Sequence, residues 1–170
     1  SKLDMLAGRL GNSDTLLCLR ADVGKESDTE MVAARAVEQF GKLDILVANA
    51  GTEGEVKPLT SVSSEEFARV QTTNVVGTFN SIKHAALAMK EGGAIVATGS
   101  VTSTVGVAGI GAYTASKHAI AGLVKVAAIE LAPSNIRVNA VAPAPIDNDM
   151  MRSIENQAIP HADDETRRAY

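Results

Sequence analysis

The chain has 170 residues, 45% of them apolar and 21% charged, with a formal net charge of -4, a composition that excludes a disordered polymer and leaves no electrostatic footprint for nucleic acid. No apolar run approaches the roughly 18 residues of a bilayer span, and the opening "SKLDMLAGRL" lacks the basic, apolar and small-residue zones of a signal peptide. One cysteine, Cys18, allows no internal disulfide, so the expectation is a single cytoplasmic domain, 1–170, with neither membrane nor nucleic-acid partners.

Leu3, Leu6, Ala7 and Leu10 recur at helical spacing and are stopped by Gly11 and Asn12. "TLLCLRAD" (15–22) reads as a first strand, with Cys18 as a small buried hydrophobe. Ser27 and Glu30 form a capping box before Ala33, Ala36, Val37 and Phe40, a helix closed by Gly41. "LDILVANAG" (43–51) is a second strand, followed by a helix from about Ser63 whose Glu66 completes another capping box. "GGAIVATGS" (92–100) is a third, and "IRVNAVAP" (136–143) a fourth, after a long helix begun near Ala112. Strands this apolar, alternating with helices, imply a parallel sheet covered on both faces: a doubly wound α/β domain, Rossmann-like.

In such a sheet, ligands bind beyond the carboxyl ends of the strands. Those ends carry Asp22, then Asn49-Ala50-Gly51, then Ser100, then Pro143, each of which is by itself also ordinary turn chemistry. On the long helix Tyr113, Lys117, Ile120, Val124, Ala127 and Leu131 share one stripe, apolar except at its first turn. Burying the apolar part therefore holds Tyr113 and Lys117 inward at the crevice. Asn74 shares a face with Phe67, Val70 and Thr78, so an amide is aimed inward either to tie backbone segments together or to serve the site. A phenol has an ordinary pKa near 10, and an ammonium nearby is expected to lower it. A tyrosine so tuned exchanges a proton with an alcohol oxygen that a serine hydroxyl also binds. Ser100 lies in no G-x-S-x-G elbow, and His84, His118 and His161 lack metal-ligand spacing and read as surface residues.

Taken together, "ADV" (21–23), "ANAG" (48–51), "NVVG" (74–77), "GS" (99–100), "YTASK" (113–117) and "NAVAP" (139–143) make the chain resemble the short-chain dehydrogenases/reductases over nearly its whole length. The resemblance implies an NAD- or NADP-dependent oxidoreductase that interconverts a small-molecule alcohol and ketone. It implies Tyr113 as acid/base, Lys117 as the group that tunes it and binds the nicotinamide ribose, Ser100 on the substrate oxygen, and Asn74 holding a water. It also places Asp22 and Val23 at the adenine, Asn49, Ala50 and Gly51 along the adenosine side, and Pro143 with Ile146 beside the nicotinamide. The family's P-G is here Pro143-Ala144, its usual Thr soon afterwards is Asn148, and Ala48 replaces a common Asn. Relative to the family the 170 residues lack the TGxxxGxG turn and the last strand, so a partial chain is expected, with "TLLCLRAD" deprived of both neighbours. The alternative is a truncated, inactive interaction fragment of the same fold; the Ser100, Tyr113, Lys117 set argues against an unrelated nucleotide-binding regulator. A second helical face of Ala115, Ala119, Gly122 and Val126 leads to the expectation of a homo-oligomer through the helices at 63–90 and 112–132.

Overall fold

The structure, a computed structural model, describes residues 2–11, 14–160 and 163. Its helices are α1 (Lys2–Leu10), α2 (Glu26–Phe40), α3 (Ser64–Gln71), α4 (Gly77–Ala88), α5 (Gly111–Leu131) and α6 (Asp149–Ala158), and its strands β1 (Ile45–Ala48), β2 (Gly93–Thr98) and β3 (Ile136–Val141). The strands form one parallel sheet in the order β1-β2-β3, with Leu46 opposite Ile95 and Ile95 opposite Val138. Each crossover is helical, as parallel pairing requires.

One face of this sheet carries the core. Ile95, Ala97, Ile136 and Val138 are buried there against Ile82 and Ala85 of α4 and Ile120 and Val124 of α5. The stripe expected on α5 is therefore the buried one, with Ala127 and Leu131 completing it. The opposite face is open among the described residues: Ile45 and Val47, one register away from Leu46 and Ala48, are 65% and 62% exposed. The doubly wound α/β fold is thus present in incomplete form: among the described residues one face of the sheet is covered, and α2 packs on α4.

"TLLCLRAD" forms no strand. A strand exists through its ladder, and the segment has no neighbour on either side to pair with. Cys18 within it is half-buried and free. The stop read at Asn12 and the histidine at 161 lie outside the described residues.

Two other local readings need adjustment. α2 starts at Glu26 with Lys25 as an N-cap that makes no side-chain bond, so Ser27 falls inside the helix and caps nothing. The turn that delivers it is held by Asp22, whose carbonyl accepts from the Lys25 amide and whose own amide donates to the Asp28 carboxylate. α3 begins as expected, with the Ser63 hydroxyl accepting from the Glu66 amide at 3.1 Å, while the Glu66 carboxylate is engaged by Arg69 and the Glu55 amide. Between α3 and α4 the helix does not stop: Thr72–Val76 wind as a π turn, and Gly41 closes α2 in the left-handed region at φ 82°.

Candidate functional site

A cleft of about 620 Å³ opens at the carboxyl ends of the three strands, walled by the 49–56 loop, the segment 98–110, the start of α5 and the segment 143–154. Asn49, Ala50 and Gly51 follow β1 into it, Ser100 follows β2, and Pro143 and Ile146 follow β3. Tyr113 and Lys117 enter from the first two turns of α5. The cleft thus collects every expected site residue except Asp22, Val23 and Asn74.

Lys117 is only 4% exposed, and its Nζ donates to the Thr98 carbonyl at 2.7 Å while standing 5.3 Å from the Tyr113 ring centroid. Burial lowers its pKa from 10.5 to about 8. Tyr113 moves the other way: burial pushes the phenol above its ordinary value, the Ser100 hydroxyl pulls it back in part, and Glu53 adds to the rise. The expectation that Lys117 brings the phenol toward neutrality is corrected for this arrangement. The ammonium stands over the ring and donates to the Thr98 carbonyl, and burial has brought it close to losing its charge.

Ser100 is buried at the start of a 3-10 turn (Val101–Ser103); its hydroxyl accepts from the Thr102 amide at 3.1 Å, and its own amide donates to the Ser103 hydroxyl. Asn49 points back to the sheet, its Oδ1 accepting from the Thr98 hydroxyl at 2.8 Å. Gly51 runs close beside the catalytic-type groups: a Cβ there would lie 3.4 Å from Asn74 Oδ1 and 3.8 Å from Lys117 Nζ.

Asn74 lies behind the cleft, fully buried, in the π turn. Its Oδ1 accepts from the Thr52 amide at 2.8 Å, and its Nδ2 donates to the Thr52 carbonyl and to Ser116 Oγ, both at 2.9 Å. Of the face drawn from the sequence, Val70, Asn74 and Thr78 are buried, whereas Phe67 is 39% exposed. Ser116, also fully buried, donates onward to the Tyr113 carbonyl at 2.6 Å, and Gln71 donates to the Ala112 carbonyl at 2.9 Å. Two residues of the 64–88 helix therefore hold the first turn of α5, whose N-cap, Ile110, supplies no side-chain bond.

Asp22 and Val23 lie outside the cleft. Asp22 Oδ1 accepts from the Gly24 amide, and Val23 packs against Gly77 of α4. His84 is no surface histidine: its side chain is 10% exposed and its Nε2 lies 3.2 Å from the Glu26 carboxylate, whereas His118 is exposed with Nδ1 near the Thr114 carbonyl. Among the described residues no three of His, Cys, Asp and Glu gather as a metal site.

Sequence reasoning missed Ser116, Thr52, Thr98 and the whole of α6. Ser116 sits next to Lys117 on the inward side of α5, so its signal lay in the stripe already drawn. α6 announces itself by Asn148, which caps it by accepting from the Met151 amide at 2.9 Å.

A family model described as enoyl-(acyl carrier protein) reductase matches residues 1–168, and solved short-chain dehydrogenase/reductase structures superpose on the chain. The chain belongs to the short-chain dehydrogenase/reductase family. Short-chain dehydrogenase reductase 3a of Arabidopsis thaliana is 46% identical over 127 residues, 73% of this chain and 49% of that protein. The structure of levodione reductase matches with a TM-score of 0.89 at 30% identity, over 96% of this chain and 64% of that one. Carveol dehydrogenase from Mycobacterium avium, in complex with NAD, matches at 0.80 and 30% identity, over 85% and 54%. The chain spans about half to three-fifths of the length of the curated family members it matches.

Proposed function

We propose that this short-chain dehydrogenase/reductase chain serves the NAD- or NADP-dependent interconversion of an alcohol and a ketone. The carrying observation is the convergence of Ser100, Tyr113 and Lys117 on one cleft that Asn49, Gly51, Pro143 and Ile146 also border. Bound in that cleft, the nicotinamide cofactor supplies the hydride acceptor or donor. The residues present fit its nicotinamide half: Pro143 and Ile146 offer an apolar wall for the ring, Lys117 and Tyr113 offer donors for the ribose, and Asn49 to Gly51 line the route toward adenosine, with Asp22 and Val23 assigned to the adenine.

Tyr113 then moves the proton. A phenol held above its ordinary pKa by burial is fully protonated at neutral pH, which suits donation to a developing alkoxide in the reductive direction. Ser100 donates to the same oxygen. An ammonium turned from the Thr98 carbonyl toward the ribose would bring positive charge to the phenolic edge and favour phenolate for the oxidative direction. Asn74 holds the loop and α5 together and is assigned the water that relays protons from Lys117. A cytoplasmic location and a homo-oligomer through α4 and α5 complete the reading; support for the second comes from Val126 and Ile129, 53% and 76% exposed on α5, and Phe79, 48% exposed on α4.

The test is NADH- or NADPH-linked ketone reduction by the purified full chain, with Tyr113→Phe beside it. The substitution is expected to lower turnover by about 10²- to 10⁴-fold with an unchanged circular-dichroism spectrum. Near-normal turnover by Tyr113→Phe, or none by the unaltered chain with any ketone offered, overturns the proposal.

A further inference from the structure

We propose that the cleft is built for a neutral, apolar ketone or secondary alcohol of branched or cyclic shape, and that substrates bearing a carboxylate or phosphate are excluded; this rests on the dehydrogenase reading above. Beyond the polar end at Ser100, Tyr113 and Lys117, the walls are Val56, Val107, Ile110, Met150, Met151 and Ile154. Among the described residues that line the cleft, Lys117 alone carries a formal charge, and its Nζ is buried, donates to the Thr98 carbonyl and is the group that the reading above gives to the ribose. Among the described lining residues an anion finds no further cation to pair with it. Glu53, close enough to raise the pKa of Tyr113, adds repulsion.

The apolar wall is assembled, not incidental. α6 is amphipathic: Met150, Met151 and Ile154 face the cleft, while Arg152 turns away and pairs with Asp147 at 2.8 Å. Gln157 Oε1, one turn further on, accepts from the Val56 amide at 3.1 Å, so α6 and the 52–57 loop are joined across the mouth. That loop is fixed on its other side by the Lys57 amide donating to the Gly109 carbonyl at 2.8 Å. About 620 Å³, shared with a nicotinamide ring, lies within the size range of sites that bury a drug-sized ligand. Thioether side chains at 150 and 151 adapt to irregular hydrocarbon shapes.

The experiment compares two size-related probes by calorimetric titration of the full chain: para-tert-butylcyclohexanone and para-oxocyclohexanecarboxylate. The neutral ketone is expected to bind at least about tenfold tighter, because a carboxylate desolvated without a partner is heavily penalised. Met151→Lys, with Met150→Lys as a second variant should the first fail to fold, is expected to close or invert that gap. Equal or tighter binding of the carboxylate, no measurable binding of either probe, or a preference unmoved by both lysines overturns the inference. NADH- and NADPH-linked reduction of the same pair separates the two readings. If the binding preference holds and no ketone is reduced, the dehydrogenase reading fails and the cleft assignment stands; if only the carboxylate is reduced, the reverse is true.

Discussion

Replacing Asn74 by Ala removes three hydrogen bonds at once: from the Thr52 amide, to the Thr52 carbonyl and to Ser116 Oγ, all at 2.8 to 2.9 Å around a side chain that is fully buried. A net contribution of about 1 kcal/mol per bond, plus the cost of leaving the Thr52 groups stranded, gives a loss of roughly 3 to 4 kcal/mol. For a chain of this size that is a fall in Tm of roughly 6 to 16 °C. Asn80→Ala is the internal standard: Asn80 is equally secluded at 3% exposure, and its Nδ2 makes a single bond, to the Val23 carbonyl at 3.1 Å, so its loss should be about a third as large. The chain has no Trp and only two Tyr, so urea unfolding is best followed by far-ultraviolet circular dichroism. If Asn74→Ala costs no more than Asn80→Ala, the amide is not what binds the 49–52 loop to α5, and the account of the site's rigidity fails.

Lys117 sets a pH dependence. Its folded pKa of about 8 lies below the ordinary 10.5, so the unfolded chain binds more protons between those values and the penalty of burying the charge, fully present below pH 8, is relieved as pH rises through that window. The stability of the parent relative to Lys117→Met should accordingly increase from pH 8 to 10.5; a flat difference would refute the burial of a charged form. Gly77→Ala would put a Cβ 2.5 Å from Val23 Cγ2 and is expected to cost about 1 to 2 kcal/mol despite the better helix propensity, whereas Gly122→Ala, with nothing within 4 Å, should gain up to about 1 kcal/mol; thermal melts of the two variants should shift in opposite directions. Ile129→Arg, at the most exposed large hydrophobe of α5, should shift the full chain to smaller species in light scattering, and an unchanged mass would count against association through that face.

The elements legible in the sequence were those whose partners lie within it. β1, β2, β3 and α5 carry their own apolar patterns and find one another, and so the amino-acid sequence alone brings the residues at their ends, Asn49, Ser100, Tyr113 and Lys117, to one crevice. The segment at 15–22 has as good a strand composition as β1, but composition states a preference and a ladder needs a neighbour. The direction of the Tyr113 pKa was illegible for another reason. Spacing puts the ammonium one turn from the phenol but says nothing of the Thr98 carbonyl that claims it, nor of how much water the cleft excludes. α6 is illegible because a single Asn cap and three apolar residues, Met150, Met151 and Ile154, are a weak signal.

The π turn at Thr72–Val76 determines which side of α4 meets the sheet. At about 100° per residue, an uninterrupted α-helix would spread Val70, Thr78, Ala85 and Ile82 over about 120° of arc. All four are nearly inaccessible to solvent. Counting the turn as one surplus residue takes about 100° off every position beyond it, and the four then fall within about 60°, a single side. The length of this helix is therefore counted, not merely tolerated: removing Thr73 would leave a more regular helix whose two halves point their apolar residues in different directions. A comparison of propensities would score that deletion as an improvement. In the folded chain it would turn either Val70 or Ile82 toward water, and if the first half kept its place, Asn74 would rotate by about 100° away from Thr52.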